Sequence, residues 1–234
     1  METKTKNPQS RGSRGEKTME QMLAAGIEAF AKFGPEGVTT RHLAKAAGVN
    51  SAAIQYYFGG KEGYYLAVVR YLMKKLAKPF LTVLDETSDR FDRAKPNPED
   101  AGIFLSLLLQ NIVKRILLTP EARFFAGIST RENLNPTAAY EIIYDTISKL
   151  HGMLANLVGC ALGIPADSSD AVIRAHAILG QVLIFRIGAT TLYRRLDLQE
   201  IDHAQAERIA TIVADMACRS IGVETSKDPI ERSQ

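Results

Sequence analysis

The sequence predicts an all-α protein with about nine helices: three short ones near the N-terminus, forming a helix-turn-helix domain, and a larger helical domain after them. Apolar residues recur at steps of three and four, which places them on one face of successive helices. Capping residues, several followed by Pro, mark repeated helix starts. No stretch alternates between apolar and polar residues as a half-buried strand would, and no internal repeat is visible.

The N-terminal elements follow from caps and glycines. Residues 1–15 are polar, basic and rich in Gly and Ser, which predicts a flexible basic arm. Helices are then predicted over about 16–33, 40–47 and 51–58, with Thr39 and Asn50 as N-caps of the second and third. Gly48 and the pair Gly59-Gly60 end the last two of these helices.

The later elements follow from Pro and capping signals. A long helix begins at Lys61, and Pro79 is expected to kink or interrupt it. Residues 92–98 are predicted to be a linker, and the tail from residue 223 to 234 is predicted to be disordered. Between them, start signals at Asn97-Pro98, Thr119-Pro120, Asn135-Pro136, Ser168 and Asp202 predict helices over about 98–118, 120–128, 136–162, 169–195 and 203–221. The predicted domains are therefore 16–65, with the helix-turn-helix motif at about 39–58, and 66–222.

Composition and charge narrow the class of protein. With 46% hydrophobic residues and 24% charged residues, the chain can build a real core. Two cysteines cannot form a disulfide framework, and the first ten residues lack the apolar core of a signal peptide. The longest apolar stretches fall short of a bilayer span, so we expect a cytoplasmic protein with no membrane partner.

The net charge of +3 is unevenly distributed. Residues 1–80 carry +7 and the remainder carries −4. This asymmetry predicts an N-terminal end that binds a polyanion, although an ordinary solvated basic surface has the same composition.

The segment 40–57 has the dimensions of a helix-turn-helix. Small or apolar residues allow two helices to cross closely there, and Gly48 supplies the turn. The second helix presents outward side chains that are short or polar, as entry into a DNA major groove requires: Ser51, Ala52, Gln55 and Tyr56.

Lys61 stands in the first turn of a helix, directly after two glycines. A cation there opposes the helix dipole, but together with the free N–H groups of the helix it makes an anion site that suits a DNA phosphate. The alternative is a solvated lysine.

Two runs carry a family resemblance. Thr39-Thr40-Arg41-His42-Leu43-Ala44-Lys45-Ala46-Ala47-Gly48-Val49-Asn50 and Ala53-Ile54-Gln55-Tyr56-Tyr57-Phe58-Gly59-Gly60-Lys61-Glu62 resemble the N-terminal domain of TetR/AcrR-type transcriptional regulators, over about residues 14–65. The C-terminal part resembles the CerR-like branch of that family. That second likeness rests on Arg131-Glu132, Pro136-Thr137, Gly180-Gln181, Phe185-Arg186 and Gly188, and Gln55 also suits the branch.

The resemblance implies a homodimeric, ligand-responsive repressor, which binds a palindromic operator in double-stranded DNA and is released by a small organic effector. By the same resemblance, Thr40 would bind a phosphate and Arg41 a phosphate or base edge. Ser51, Ala52, Ala53 and Gln55 would face the groove, and Tyr56 and Lys61 would hold the backbone. Tyr57 and Phe58 are expected to pack inside the domain.

The second domain offers candidate effector contacts. Aromatic and aliphatic side chains could form walls and polar ones could anchor a charged group, although core packing is the better explanation for each aromatic. The candidates are Phe104, Leu108, Phe124, Arg131, Tyr140, Tyr144, His151 and Arg186. Arg186 lies in an apolar helix and needs a partner, for which the sequence offers Glu132, Glu141 or Asp145 of the same chain or of a second copy.

Catalytic, cofactor and metal sites are not predicted. The four histidines do not share helical spacing, and Gly59-Gly60-Lys61 lacks the other residues of a phosphate-binding loop. Rows of small residues predict a four-helix dimer interface or close packing within one chain: Ala175, Gly180, Gly188, Ala189, Ala206, Ala210, Ala214 and Ala217. Two other functional classes fit the sequence: an all-α ligand-binding protein or enzyme with an incidental helix-turn-helix, and a protein-binding helical module.

Overall fold

The computed structural model describes residues 9–94 and 97–223, and within them it is all-α with no strand, as predicted. Ten helices lie in these residues: α1 (Gln9–Phe33), α2 (Thr40–Ala46), α3 (Ser51–Phe58), α4 (Lys61–Ala94), α5 (Pro98–Leu118), α6 (Pro120–Leu134), α7 (Ala138–Leu162), α8 (Ser169–Ile187), α9 (Ala189–Leu196) and α10 (His203–Ser220).

The two predicted ends differ in outcome. Helix α1 begins at Gln9, seven residues before the predicted start, so residues 9–15 of the predicted flexible arm are helical. The remainder of that arm, residues 1–8, and residues 224–234 of the predicted disordered tail lie outside the described residues, while Val223, the first residue of that tail, packs against the core of unit 2.

Three internal boundaries also differ from the prediction. Helix α4 runs unbroken through Pro79 to Ala94, which removes most of the predicted linker. Helix α6 continues to Leu134 instead of ending near residue 128. The predicted helix 169–195 is divided at Gly188 into α8 and α9, which are bent by 65°. Propensity alone does not distinguish a kink from a continuous helix, because tertiary packing decides between them.

The described chain divides into two compact units that do not follow a single cut in the sequence. Unit 1 comprises Met1–Lys74 and Gly127–Ile143, and unit 2 comprises Lys75–Ala126 and Tyr144–Gln234. The predicted domains placed the cut at residue 65 and left 127–143 in the second domain. Helices α4, α6 and α7 each contribute residues to both units.

The core of unit 1 lies between α1, α2, α3 and the first part of α4. Phe30 packs edge-on against Tyr64 at 5.6 Å between ring centroids, and Tyr64 also stacks on Phe58 at 4.6 Å. The Tyr64 hydroxyl donates a hydrogen bond to the carbonyl of Met22, which ties α4 to α1. Burial raises the pKa of Tyr64 to about 12.

The core of unit 2 is built around α5 and α10. Ala206, Ala210, Ala214 and Ala217 of α10 are all buried in this core, so this row of small residues packs within one chain rather than at a subunit interface. Helix α5 is long and apolar enough to cross a membrane by length and composition, but residues along its length, from Ala101 to Leu117, are buried in the unit's core.

Candidate nucleic-acid interface

The starts of helices α2 and α3 and the turn between them are set by local capping residues and a glycine that can be recognised in the sequence. The Thr39 hydroxyl accepts the N–H of His42 at 3.1 Å, and the Asn50 side chain accepts the N–H of Ala52 at 2.9 Å. Each therefore satisfies an otherwise unpaired donor at a helix start. Between the helices, Gly48 has φ +67°, a left-handed conformation that glycine adopts without strain. The predicted caps and turn are confirmed.

The inner sides of the two helices are apolar. Leu43, Ala44 and Ile54 are buried, and burying them fixes how α3 is rotated about its axis. Because residues three and four apart share a helix face, the opposite face of α3 must point away from the unit.

The outward face of α3 carries the residues predicted for the groove. Ser51, Ala52 and Gln55 are exposed, and Ala53 is half-buried. The Tyr56 ring is 82% exposed and meets Tyr57 edge-on at 5.0 Å between centroids. The Tyr56 ring and hydroxyl are therefore accessible to a partner.

Two cations flank this face. Arg41 lies exposed in the first turn of α2, beside the half-buried Thr40. Lys61 is the first residue of α4 and is half-buried. Neither cation forms an ion pair with any residue in the described part of the chain, so both are available to an anion.

The approach from α3 to Lys61 is tightly constrained. Gly59 and Gly60 have φ of +72° and +128°, which other residues rarely adopt. A Cβ on Gly63 would lie 1.9 Å from the carbonyl oxygen of Phe58, so the first turn of α4 lies directly against the end of α3. Phe58 turns inward, stacking on Tyr64, as predicted. Lys61 is therefore held at a fixed place relative to the outward face of α3, the candidate recognition face.

One buried residue of unit 1, Glu132, has partners other than the Arg186 that the sequence suggested. Glu132 of α6 accepts a hydrogen bond from the Tyr65 hydroxyl at 2.7 Å, across 67 residues of sequence. Burial and this carboxylate raise the pKa of Tyr65. The predicted resemblance included Glu132, but no sequence signal paired it with Tyr65.

The predicted effector residues are divided between the two units. Arg131 and Tyr140 belong to unit 1, and the other six belong to unit 2. Arg131 packs against the end of α1, where a Cβ on Gly34 would lie 2.6 Å from its Cζ. A guanidinium at a helix C-terminus is favourably placed in the helix dipole.

Within unit 2, the predicted residues lie in different surroundings. Leu108 is buried in the core, Phe104 packs edge-on against Phe91 at 5.6 Å, and Tyr144 is exposed. The half-buried Phe124 ring lies under the guanidinium of Arg123 at 4.5 Å. His151 lies 5.7 Å from His176 between ring centroids, and burial together with that neighbour lowers the pKa of His151.

Arg186 has partners of a different kind from those predicted. Its Nε donates to the carbonyl of Ile116 at 2.6 Å, and its Nη2 donates to the carbonyls of Leu117 at 2.5 Å and Thr119 at 3.4 Å. The suggestion that Glu132, Glu141 or Asp145 of the same chain pairs with Arg186 is therefore wrong. The guanidinium satisfies carbonyl groups that α5 leaves unpaired at its C-terminus, and burial lowers its pKa.

Comparison with known proteins identifies both parts of the chain. The family model for bacterial regulatory proteins of the tetR family matches residues 22–68. The model for the C-terminal domain of the HTH-type transcriptional dual regulator CecR matches residues 103–222. The chain belongs to the TetR family. The branch that the sequence indicated as CerR-like is the CecR branch.

Individual relatives agree with this assignment. The HTH-type transcriptional dual regulator CecR of Shigella flexneri is 33% identical over 199 residues, which cover 84% of this chain and 87% of that protein. The crystal structure of HlyIIR, a hemolysin II transcriptional regulator, is 25% identical, covers 86% of this chain and 99% of its own, and superimposes with a TM-score of 0.55. A transcriptional regulator of Rhodococcus sp. Rha1, at 23% identity and TM-score 0.57, shares the fold over 86% of this chain and 96% of its own.

The family membership settles the class of function. A TetR-family protein with a helix-turn-helix is a DNA-binding transcriptional regulator, and its relatives are named as regulators and not as enzymes. The alternative of an all-α enzyme with an incidental helix-turn-helix is therefore wrong. Within the described residues, no group of three or more His, Cys, Asp or Glu side chains is arranged to hold a metal ion.

Proposed function

We propose that this TetR-family protein is a cytoplasmic, homodimeric repressor that binds a palindromic operator and is released by a small organic effector. The observation that carries the DNA-binding part is the exposed face of α3 with Arg41 and Lys61 beside it. Short side chains let the helix backbone enter a groove about 12 Å wide, and the flanking cations neutralise phosphates.

The proposed contacts divide into two kinds. Gln55 can make a bidentate contact with adenine, and it is the longest polar side chain on the exposed face of α3. Thr40, Tyr56 and Lys61 are assigned to the phosphate backbone, and Arg41 is assigned to a phosphate or a base edge. Since Ser51, Ala52 and Ala53 offer little direct readout, DNA shape would carry part of the specificity.

Exposed apolar side chains on unit 2 support the homodimer. Ile173, Ile184 and Ile187 of α8 and Ile212 and Met216 of α10 are exposed although they are large and apolar. On α8 these residues follow helical spacing, with the exposed Gly180 between them. A second copy would bury this face, and two-fold symmetry would present two recognition helices to half-sites about 34–36 Å apart or a multiple of that.

One polar atom of unit 2 supports an effector. Gln181 Oε1 is buried and has no hydrogen-bond donor among the described residues. Buried acceptors are nearly always satisfied, so an N–H or O–H group of a ligand is a suitable partner. The half-buried aromatic residues Phe104 and Phe124 are the proposed apolar contacts in this unit.

The test is operator binding by fluorescence anisotropy, using the DNA that flanks the protein's own gene. Lys61→Ala should weaken binding to every sequence and reduce the salt dependence by about one phosphate contact, while Gln55→Ala should mainly relax sequence preference. Lys74→Ala, on the same helix as Lys61, is the matched control. Binding that shows no preference over random duplex and no steep salt dependence would reject the proposal.

The dimer and the effector have separate tests. Ile184→Glu should convert the dimer to a monomer in light scattering and abolish binding to the full operator, because a charge on the buried face opposes association. Mass spectrometry of the purified protein under native conditions should reveal a bound organic molecule that lowers operator affinity. A monomeric wild-type protein would exclude the dimer, and a bound molecule that leaves operator affinity unchanged would exclude its role as effector.

A further inference from the structure

Glu132 is the one charged residue that lies fully buried in the described part of the chain, with 0% of its surface exposed. Removing a carboxylate from water is costly unless hydrogen bonds replace its hydration. An apolar residue of similar size would fill the same space at less cost. The directional bonds of the carboxylate therefore call for an explanation beyond packing.

Those bonds come from two other helices. The Tyr65 hydroxyl of α4 donates to Oε1, and the N–H of Thr137 donates to Oε2 at 2.9 Å. The Thr137 hydroxyl lies 2.9 Å from Oε2 and 3.1 Å from Oε1, and it also accepts the N–H of Ala139 at 3.1 Å. Thr137 is thus the N-cap of α7 as well as a donor to α6. One carboxylate joins α4, α6 and the start of α7.

These three helices are the ones that continue from unit 1 into unit 2. In the low dielectric of a core, such bonds are strong and keep their geometry, because each leaves a buried polar group unpaired when it is broken. The Tyr65–Glu132–Thr137 junction therefore holds the parts of α4, α6 and α7 that belong to unit 1 at fixed places relative to one another.

We propose that Glu132 is a positioning residue for operator recognition: through Tyr65 and Thr137 it sets the half-site spacing that the dimer accepts. This inference rests on the proposed function. One base pair of spacing moves a half-site by about 3.4 Å and rotates it by about 35° around the DNA axis. A junction that holds three connecting helices at fixed angles would make a dimer sensitive to such a step, and a loosened junction would make it tolerant.

The experiment measures the affinity of the full-length protein for operators whose half-sites are separated by the natural spacing or by one or two base pairs more or less. Tyr65→Phe removes the hydroxyl but keeps the ring that packs on Phe30 at 4.9 Å. Thr137→Val removes the other hydroxyl, and Thr137→Ser restores it. Tyr71→Phe is the matched control, since Tyr71 lies on the same helix and donates to Glu20 at an exposed site.

We expect the wild-type protein, Thr137→Ser and Tyr71→Phe to lose about tenfold or more in affinity when the spacing changes by one base pair. Tyr65→Phe and Thr137→Val should lose about threefold or less for the same change, because a loosened junction adapts to both spacings. Affinity for a single half-site duplex should stay the same in all variants, which shows that the helix-turn-helix is intact.

Two results would overturn the inference. The first is that the affinity of Tyr65→Phe and Thr137→Val falls with a change of half-site spacing as steeply as that of the wild type. The second is an equal loss on every spacing and on the single half-site, which would show a structural role only. A wild-type protein with no preference for its operator over random duplex would instead reject the proposed function, and the inference with it.

Discussion

Helices α1 and α4 pack closely at Gly26, and replacing this glycine with alanine tests how unit 1 is held together. A Cβ there would lie 2.6 Å from Val68 Cγ2 and 2.9 Å from the Tyr64 hydroxyl. Both distances are below any normal contact, so the Val68 and Tyr64 side chains or the two helices would have to shift. The displaced Tyr64 hydroxyl would also lose its bond to the carbonyl of Met22.

The size of the effect follows from three contributions. Alanine is favoured over glycine within a helix by about 0.8–1.0 kcal/mol, which stabilises the variant. Overpacking a close-packed core costs about 1–3 kcal/mol, and a weakened buried hydrogen bond costs about 1 kcal/mol more. Gly26→Ala should therefore lower the free energy of unfolding of unit 1 by about 1–3 kcal/mol.

The assay is calorimetric unfolding, with Gly152→Ala as the matched control. Gly152 lies within α7, and a Cβ there would meet nothing within 4 Å. The free energy of unfolding of the control should therefore rise by about 0.5–1 kcal/mol from helix propensity alone. At about 2–4 °C per kcal/mol for a chain of this size, the two variants should shift Tm in opposite directions. A Gly26→Ala variant at least as stable as the wild type would refute the packing argument.

Three further changes have defined outcomes. Arg186→Met should destabilise unit 2 by about 1.5–3 kcal/mol, because it leaves the carbonyls at the end of α5 unpaired. Arg194→Met, on the exposed side of α9, is the control and should change the stability little. Equal Tm values for the two variants in calorimetry would contradict this. Asn50→Ala removes the cap of α3, so it should lower the free energy of unfolding by about 1 kcal/mol and weaken operator binding. Asn50→Asp keeps a capping oxygen, so it should keep the wild-type stability in thermal unfolding and the wild-type operator affinity in anisotropy. Because the pKa of Tyr64 is raised to about 12 in the folded state from 10 in the unfolded state, the stability it contributes is complete below pH 10 and is lost as pH rises towards 12. Urea unfolding should show this decline, and Tyr64→Phe should make it shallower; an unchanged slope would show that Tyr64 is not responsible.

The sequence was sufficient wherever the determining interaction is local. Thr39, Asn50, Ser168 and Asp202 were recognised as caps because the N–H group that each accepts lies two or three residues along the chain. The recognition face of α3 followed from helical spacing and is found exposed. For the same reason the fold class and the order of the helices were predictable.

Interactions between distant segments were not predictable. Arg186 needs a partner, but sequence alone cannot distinguish a carboxylate from a row of helix-end carbonyls about 70 residues away. The alanines of α10 have the spacing of any close helix contact, whether within one chain or between two. The division into units depends on contacts such as that of Tyr65 with Glu132, and the local sequence around neither residue indicates the other.

The discontinuity of unit 1 has a consequence for synthesis. The helix-turn-helix emerges from the ribosome early, but the unit to which it belongs is complete only when Ile143 has been made. Until then the parts of α1 and α4 that later meet residues 127–143 stay uncovered, since the backbone of Ala31 lies against Gly127 and Tyr65 bonds to Glu132. Nascent chains therefore carry an unfinished DNA-binding unit past the midpoint of translation, a period in which exposed apolar surface favours chaperone binding or aggregation. A hybrid regulator that takes its helix-turn-helix from this protein must therefore also include residues 127–143.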